Sequence, residues 1–227
     1  MEVRNKSKSF ELISEWTAKH RPEREPPHQV ERYAFFRDNA KGKVLSIGCG
    51  EAKVEEYIYI KDNGECDYSA CVCGADLDIN YLRSAEHRWP NGKFVQHDIC
   101  KMESLWFLDN EFDTVIIGDV MEHVSPFYHH NLLSNALRVC KPGGQVLITV
   151  PNGSCFEDNN TCSIYAKEHC MVMTREVIQD ILNPTPAARE WWKTVARATH
   201  GFKYSYTMEV SQSKRFIFIQ MQNRKGL

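Results

Sequence analysis

The sequence predicts a doubly wound α/β fold: a mostly parallel seven-stranded sheet, helices on both faces, and a C-terminal antiparallel hairpin. Three observations carry this. From Lys43 to Val150, short apolar runs alternate with amphipathic stretches, the order that a parallel sheet with crossover helices requires. The first run ends in Gly48-Cys49-Gly50 and the next two end in Asp76 and Asp98, so small and acidic residues collect just past strand ends. The last two runs, residues 202–210 and 215–222, flank a polar turn around Ser211-Gln212-Ser213, which suits an antiparallel pair.

The elements follow in order. Residues 1–42 read as an N-terminal helical cap, and residues 43–227 as the main domain. Phe10, Ile13 and Trp16 recur at helical spacing, and Pro22, Pro26 and Pro27 then break the chain. A second helix, 28–39, carries Val30, Tyr33, Ala34 and Phe36. The first strand is 44–47, followed by a helix over 52–59. The second strand, 70–75, ends at Asp76 and sets Cys71 and Cys73 on one face. A helix over 80–87 follows, with Asp78 as its N-cap. The third strand is 93–97. The fourth, 113–117, is nearly all apolar, as a strand covered on both faces should be. A helix with Leu132, Leu133, Ala136, Leu137 and Val139 leads through Lys141-Pro142-Gly143-Gly144 into a fifth strand, 145–150. Residues 151–173 have no clear period, which predicts a lid.

Composition narrows the function classes. The chain has 227 residues and a formal net charge of −2, so no global field favours nucleic acid or anionic membranes. No run approaches the ~20 apolar residues needed to span a bilayer. The first eight residues are polar and no apolar segment follows them, unlike a secretory signal. The nine cysteines are scattered without a C-x-x-C pair, the usage of a reduced compartment. A soluble cytoplasmic protein is expected, acting on a small molecule, with no membrane partner and with nucleic acid disfavoured. The sequence carries no sign of oligomeric state.

In an open α/β sheet, ligands bind beyond the carboxyl ends of the strands, where strand order reverses. Gly48 and Gly50 permit a tight turn and close approach of backbone to ligand. Lys53 stands where a dinucleotide fingerprint wants its last glycine, which argues against a nicotinamide cofactor. Asp76 can accept both hydroxyls of a ribose, and Asp98 can accept from an adenine amine.

These segments, in this order and spacing, resemble those of class I methyltransferases. Val44-Leu45-Ser46-Ile47-Gly48-Cys49-Gly50 is similar to their first motif, and Gly74-Ala75-Asp76-Leu77-Asp78 to their ribose-binding one. Phe94-Val95-Gln96-His97-Asp98-Ile99 resembles the adenine-contacting segment. Residues 112–124 and 137–152 resemble the fourth strand, the following helix and the fifth strand. The resemblance implies a Rossmann-like methyltransferase fold using S-adenosylmethionine and releasing S-adenosylhomocysteine. The implied cofactor residues are Ser46, Gly48, Cys49, Gly50, Asp76, Leu77, Asp98, Ile99 and Asp119. Two departures stand out. Ser46 occupies a position that is usually acidic, which removes a carboxylate that often helps hold the cofactor's methionine end. Ala52 replaces a frequent third glycine.

Methyl transfer is an in-line displacement, and alignment supplies ~7–11 kcal/mol of such barriers. The acceptor is expected to be an oxygen or nitrogen of a small metabolite. His123, just past the fourth strand, is the expected general base. Tyr33, His123 and Trp191 are expected to face the acceptor. Asp119, Glu122 and His123, at i, i+3 and i+4, share one face if helical, and with His169 resemble the metal site of metal-assisted O-methyltransferases, including those of small RNA. The reading adopted has no metal. The alternatives are a metal-assisted 2′-O-methyltransferase of small RNA and a silent cofactor-binding partner protein, toward which only Ser46 leans.

Overall fold

The computed structural model describes residues 8–20, 27–98, 107–155, 169–183, 185–186 and 204–224. Helices α1 (Lys8–His20) and α2 (Pro27–Asn39) precede a seven-stranded sheet. Its strands are β1 (Val44–Ile47), β2 (Cys73–Asp76), β3 (Lys93–Gln96), β4 (Phe112–Gly118), β5 (Cys140–Pro151), β6 (Tyr204–Val210) and β7 (Phe216–Asn223). The order across the sheet is β3-β2-β1-β4-β5-β7-β6. β1 to β5 are mutually parallel, and β7 runs antiparallel to both β5 and β6. The chain winds outward from β1 to β3 and then returns to β4, so the crevice of this fold lies between the carboxyl ends of β1 and β4.

The two-residue period of β1 divides the core. Leu45 and Ile47 join Val115, Ile117, Val146 and Ile148 beneath α5 (His129–Val139) and α6 (Arg175–Leu182). On the opposite face, Val44, Ile116 and Leu147 pack against Phe36 of α2. A satellite cluster joins Ile13 and Trp16 of α1, Val30 and Tyr33 of α2, and Tyr57 of α3 (Val54–Ile58). Helix α4 (Ile79–Arg88) starts where Asp78 Oδ1 accepts the Asn80 N–H at 2.8 Å, the expected cap, a contact of about 1 kcal/mol. Among the described residues, no helix is long and apolar enough to cross a membrane.

Several boundaries differ from the sequence-based expectation. β2 begins at Cys73, because β1 offers partners only from Leu45 onward on that side. Cys71 lies outside the strand and is exposed while Cys73 is buried, yet the two thiols lie side by side, as their alternation predicts. Helix α3 starts at Val54 and not at residue 52, because Ala52 has φ 53°, a left-handed conformation that cannot continue an α-helix. β5 is longer than expected. Cys140 pairs with Phe112, the chain bulges over the next four residues, and pairing resumes at Thr114 and Gln145. β7 is flanked on both sides and buries most of its residues, whereas the edge strand β6 alternates. Of the expected lid, residues 156–168 lie outside the described residues.

Candidate cofactor and active site

The glycine turn after β1 is shaped by contacts that only glycine allows. Gly48 has φ 67°, and a Cβ there would strike the side chain of Val120, the second residue past β4. Glycine therefore lets the ends of β1 and β4 close on each other. The Gly48 and Cys49 N–H groups both donate to the Ala75 carbonyl, at 2.8 and 3.1 Å. Gly50 has φ 53° and open space where a Cβ would lie. Cys49 packs its sulfur over Gly74, where a Cβ would come within 2.6 Å of Sγ. Burial, with the nearby charges of Glu55 and Asp76, pushes the Cys49 thiol well up, so it stays protonated.

Asp76 ends β2 and organises the turn. Its Oδ2 accepts the Gly50 N–H at 2.8 Å, and its Oδ1 accepts the Asp78 N–H at 2.9 Å. A carboxylate has about four acceptor sites, so each oxygen keeps capacity for one ribose hydroxyl. Leu77 follows with its side chain 66% exposed, an apolar surface beside the turn. Gln96 fixes its backbone, donating to the Leu77 carbonyl at 2.9 Å. Asp98 lies two residues past β3 and is half-buried. Open space above Gly50, spare acceptors on Asp76 and the bare Leu77 side chain fit an adenosyl group. Ile99 lies outside the described residues.

Asp119 has φ 53° and is engaged by the protein itself. Its carboxylate pairs with Arg32 of α2, and its Oδ1 accepts the Thr149 hydroxyl proton at 2.9 Å. Burial opposes the charge on Arg32, but Asp119 and Tyr33 outweigh it and raise its pKa. Arg32 also donates to the Tyr33 hydroxyl at 3.2 Å. The Tyr33 ring stacks on Tyr57, with centroids 3.9 Å apart, inside the cap cluster. The structure thus spends Tyr33 mainly on packing. Trp191 lies outside the described residues.

Past Asp119, a single 3₁₀ turn, Met121–His123, presents the catalytic candidates. This differs from the longer helical face read from the i, i+3, i+4 spacing: the left-handed Asp119 turns away toward Arg32, leaving Glu122 and His123. Glu122 is 1% exposed, and neither of its carboxylate oxygens has a hydrogen-bond partner among the described residues. Burial, then repulsion from Asp119, pushes its carboxyl up to about 8, with Arg32 opposing. His123 is exposed, and His169 meets it edge-on with ring centroids 4.9 Å apart. One ligand atom from each of Glu122, His123 and His169 lies within 4.8 Å of the others. The following segment buttresses the turn: the Cys170 N–H donates to the Glu122 carbonyl at 2.7 Å. Such a group can accept and pass a proton, or hold a divalent cation.

Two supporting residues had no role in the sequence reading. His129 is buried and donates from Nε2 to the Met121 carbonyl at 2.8 Å; burial lowers its pKa, so it acts as a neutral brace for the turn. Its place at the head of α5 gave no signal of this. Glu55 of α3 is 1% exposed and adjoins Ser46, where the usual acid is absent.

The chain matches a methyltransferase domain family over residues 18–206. An uncharacterised protein of Methanocaldococcus jannaschii is 27% identical over 175 residues, covering 75% of this chain and 77% of that protein. A phosphoethanolamine N-methyltransferase of Triticum aestivum is 31% identical over 108 residues, 47% of this chain but only 20% of that protein. The N-methyltransferase NodS of Bradyrhizobium japonicum, solved with S-adenosylhomocysteine, superposes with a TM-score of 0.57 at 16% identity. That likeness covers 96% of this chain and 100% of NodS, and it speaks to the fold. Glycine turn, acidic strand ends and family match agree: the chain belongs to the methyltransferase domain family and is a class I S-adenosylmethionine-dependent methyltransferase.

Proposed function

We propose that this enzyme methylates an oxygen or nitrogen of a small-molecule acceptor, with His123 as the proton-accepting group. The observation that supports it is the meeting of Glu122, His123 and His169 past β4, beside the strand ends that offer the nucleoside its contacts. Asp76 accepts the ribose hydroxyls, Leu77 lies against the adenine, and Asp98 accepts from its amine. The Gly48–Gly50 turn, with Cys49 contributing its backbone, carries the methionine end toward Ser46 and Asp119. When bound, S-adenosylmethionine supplies an activated methyl group on a sulfonium.

The residues past β4 then act on the acceptor. His123, exposed on the rigid 3₁₀ turn, takes the proton from the attacking O–H or N–H as the new bond to carbon forms. His169 lies against its ring and limits its orientation. Burial, then repulsion from Asp119, pushes the Glu122 carboxyl upward, toward its uncharged form. The test is a pH–rate profile of wild type and His123→Ala at saturating cofactor and acceptor. The variant should lose about 10²-fold in maximal rate, keep its affinity for S-adenosylhomocysteine, and lose the acid limb on which the imidazole is protonated. A variant within a few-fold of wild type, with the same acid limb, leaves His123 a structural residue and catalysis to alignment alone.

A second reading rests on the same three side chains. A divalent cation held by Glu122, His123 and His169 would bind the acceptor's oxygens and acidify the nucleophile, as a 2′-O-methyltransferase of small RNA requires. The net charge of −2 gives such a substrate no general attraction.

A further inference from the structure

We propose that Glu55 takes the place of the carboxylate that Ser46 lacks and holds the α-ammonium of the cofactor's methionine end. This rests on the cofactor lying along the glycine turn. Ser46 sits on the same side of β1 as Val44, the side packed against Phe36, Val54 and Ile58. Helix α3 follows the glycine turn directly, so the chain carries Glu55 back over β1. The carboxylate adjoins the Ser46 hydroxyl, and its charge is felt by the Cys49 thiol in the middle of the turn. It therefore lies under the loop along which the methionine end is expected to run.

What sets Glu55 apart is the lack of a counter-charge. The Ser46 hydroxyl lies near enough to favour the charged form, yet no full hydrogen bond to either carboxylate oxygen forms among the described residues. Its neighbour Glu56, equally buried, is engaged: its Oε1 pairs with Arg88 of α4 and accepts the Tyr68 hydroxyl proton at 2.8 Å. The groups around Glu55 are Ser46 of β1, Glu56 of its own helix, Arg88 of α4, Cys49 of the turn, and Tyr59 at the end of α3. Arg88, the single cation among them, pairs with Glu56, reaches Glu51 at 4.0 Å, and acts on Glu55 only as the weakest of the influences on its carboxyl. Burial dominates and pushes the Glu55 carboxyl up to about 7, with Ser46 opposing. A buried, unpaired carboxylate is costly unless a cation completes it. An amino-acid ammonium group arriving with the cofactor is such a cation, and it restores the charge that an acid at position 46 would have supplied.

The test is calorimetric titration of the full chain with S-adenosylhomocysteine and with its analogue carrying hydrogen in place of the α-amino group. Wild type should prefer S-adenosylhomocysteine by about tenfold or more, the range of a hydrogen bond to a charged group. Glu55→Gln should abolish that preference and bind the deaminated analogue as wild type does. A preference that survives in Glu55→Gln, or an equal loss of both ligands, overturns the assignment. A wild-type measurement stands apart from how the variant folds. At pH 6.5, in buffers of different ionisation enthalpy, S-adenosylhomocysteine should release protons as Glu55 ionises against the ammonium, and the deaminated analogue should not. Equal proton release by the two ligands overturns it as well.

Discussion

Replacing Glu55 with glutamine should stabilise the cofactor-free protein while weakening its grip on the cofactor. The carboxyl is raised from an ordinary 4.5 to about 7 in the folded chain, chiefly by burial. Between those two values the folded state keeps a proton that the unfolded state has released. Stability therefore falls as pH rises from about 4.5 to about 7, and the loss is complete above that. Each tenfold in proton affinity is worth about 1.4 kcal/mol, so the full cost is of order 3 kcal/mol. Glutamine has nearly the same shape and no charge, so Glu55→Gln should exceed wild type by about that amount at pH 8 and match it near pH 4.5. The assay is urea denaturation of cofactor-free protein, followed by tryptophan fluorescence at both pH values. Burial also lowers the pKa of His129 and His130. Both proteins share these groups, so their effect cancels in the difference. A variant no more stable than wild type at pH 8, or an advantage that does not shrink in acid, refutes the reasoning.

Two further outcomes follow from the site. Turnover should survive exhaustive chelation; activity lost to chelator and regained with Mg²⁺, Mn²⁺ or Zn²⁺ would transfer the chemistry to a cation on Glu122, His123 and His169. Arg32→Met should cost about 3 kcal/mol in urea unfolding, because it leaves the mostly buried Asp119 carboxylate without its cation and unties α2 from the end of β4; a loss under about 0.5 kcal/mol, the range of an ordinary surface change, contradicts that tether.

The sheet was legible because its strands are marked twice, by apolar runs and by the residues that end them. Gly48, Asp76 and Asp78 stand where their spacing put them, and Asp78 caps α4 as expected. Boundaries failed where backbone conformation overrode composition. Ala52 looks like a helix former but sits at φ 53°, fully buried, with its carbonyl accepting the Trp89 indole N–H at 3.0 Å. Asp119 fits a helical face on spacing alone, yet its left-handed backbone aims it at Arg32, 87 residues earlier. No local pattern encodes such a pair. Burial of acids was equally hidden. Nothing in the helix predicted over 52–59 marks Glu55 or Glu56 as buried, and only the packing of α3 on β1 and α4 separates an engaged carboxylate from one left without a counter-charge. The meeting of His169 with His123 depended on the return of a segment that carries no period in the sequence.

That the nucleoside lies across the ends of β1 and β2 is tested most directly by titrating S-adenosylhomocysteine into wild type and Asp76→Ala, with folding of the variant verified by circular dichroism. Asp76 positions the Gly50 and Asp78 N–H groups and keeps acceptor capacity on both oxygens. Its removal should weaken binding by about 1.5–3 kcal/mol, the range of hydrogen bonds to a charged group. Unchanged affinity in a folded Asp76→Ala protein would contradict the placement of the ribose, and with it the position assigned to every other group around the methyl donor.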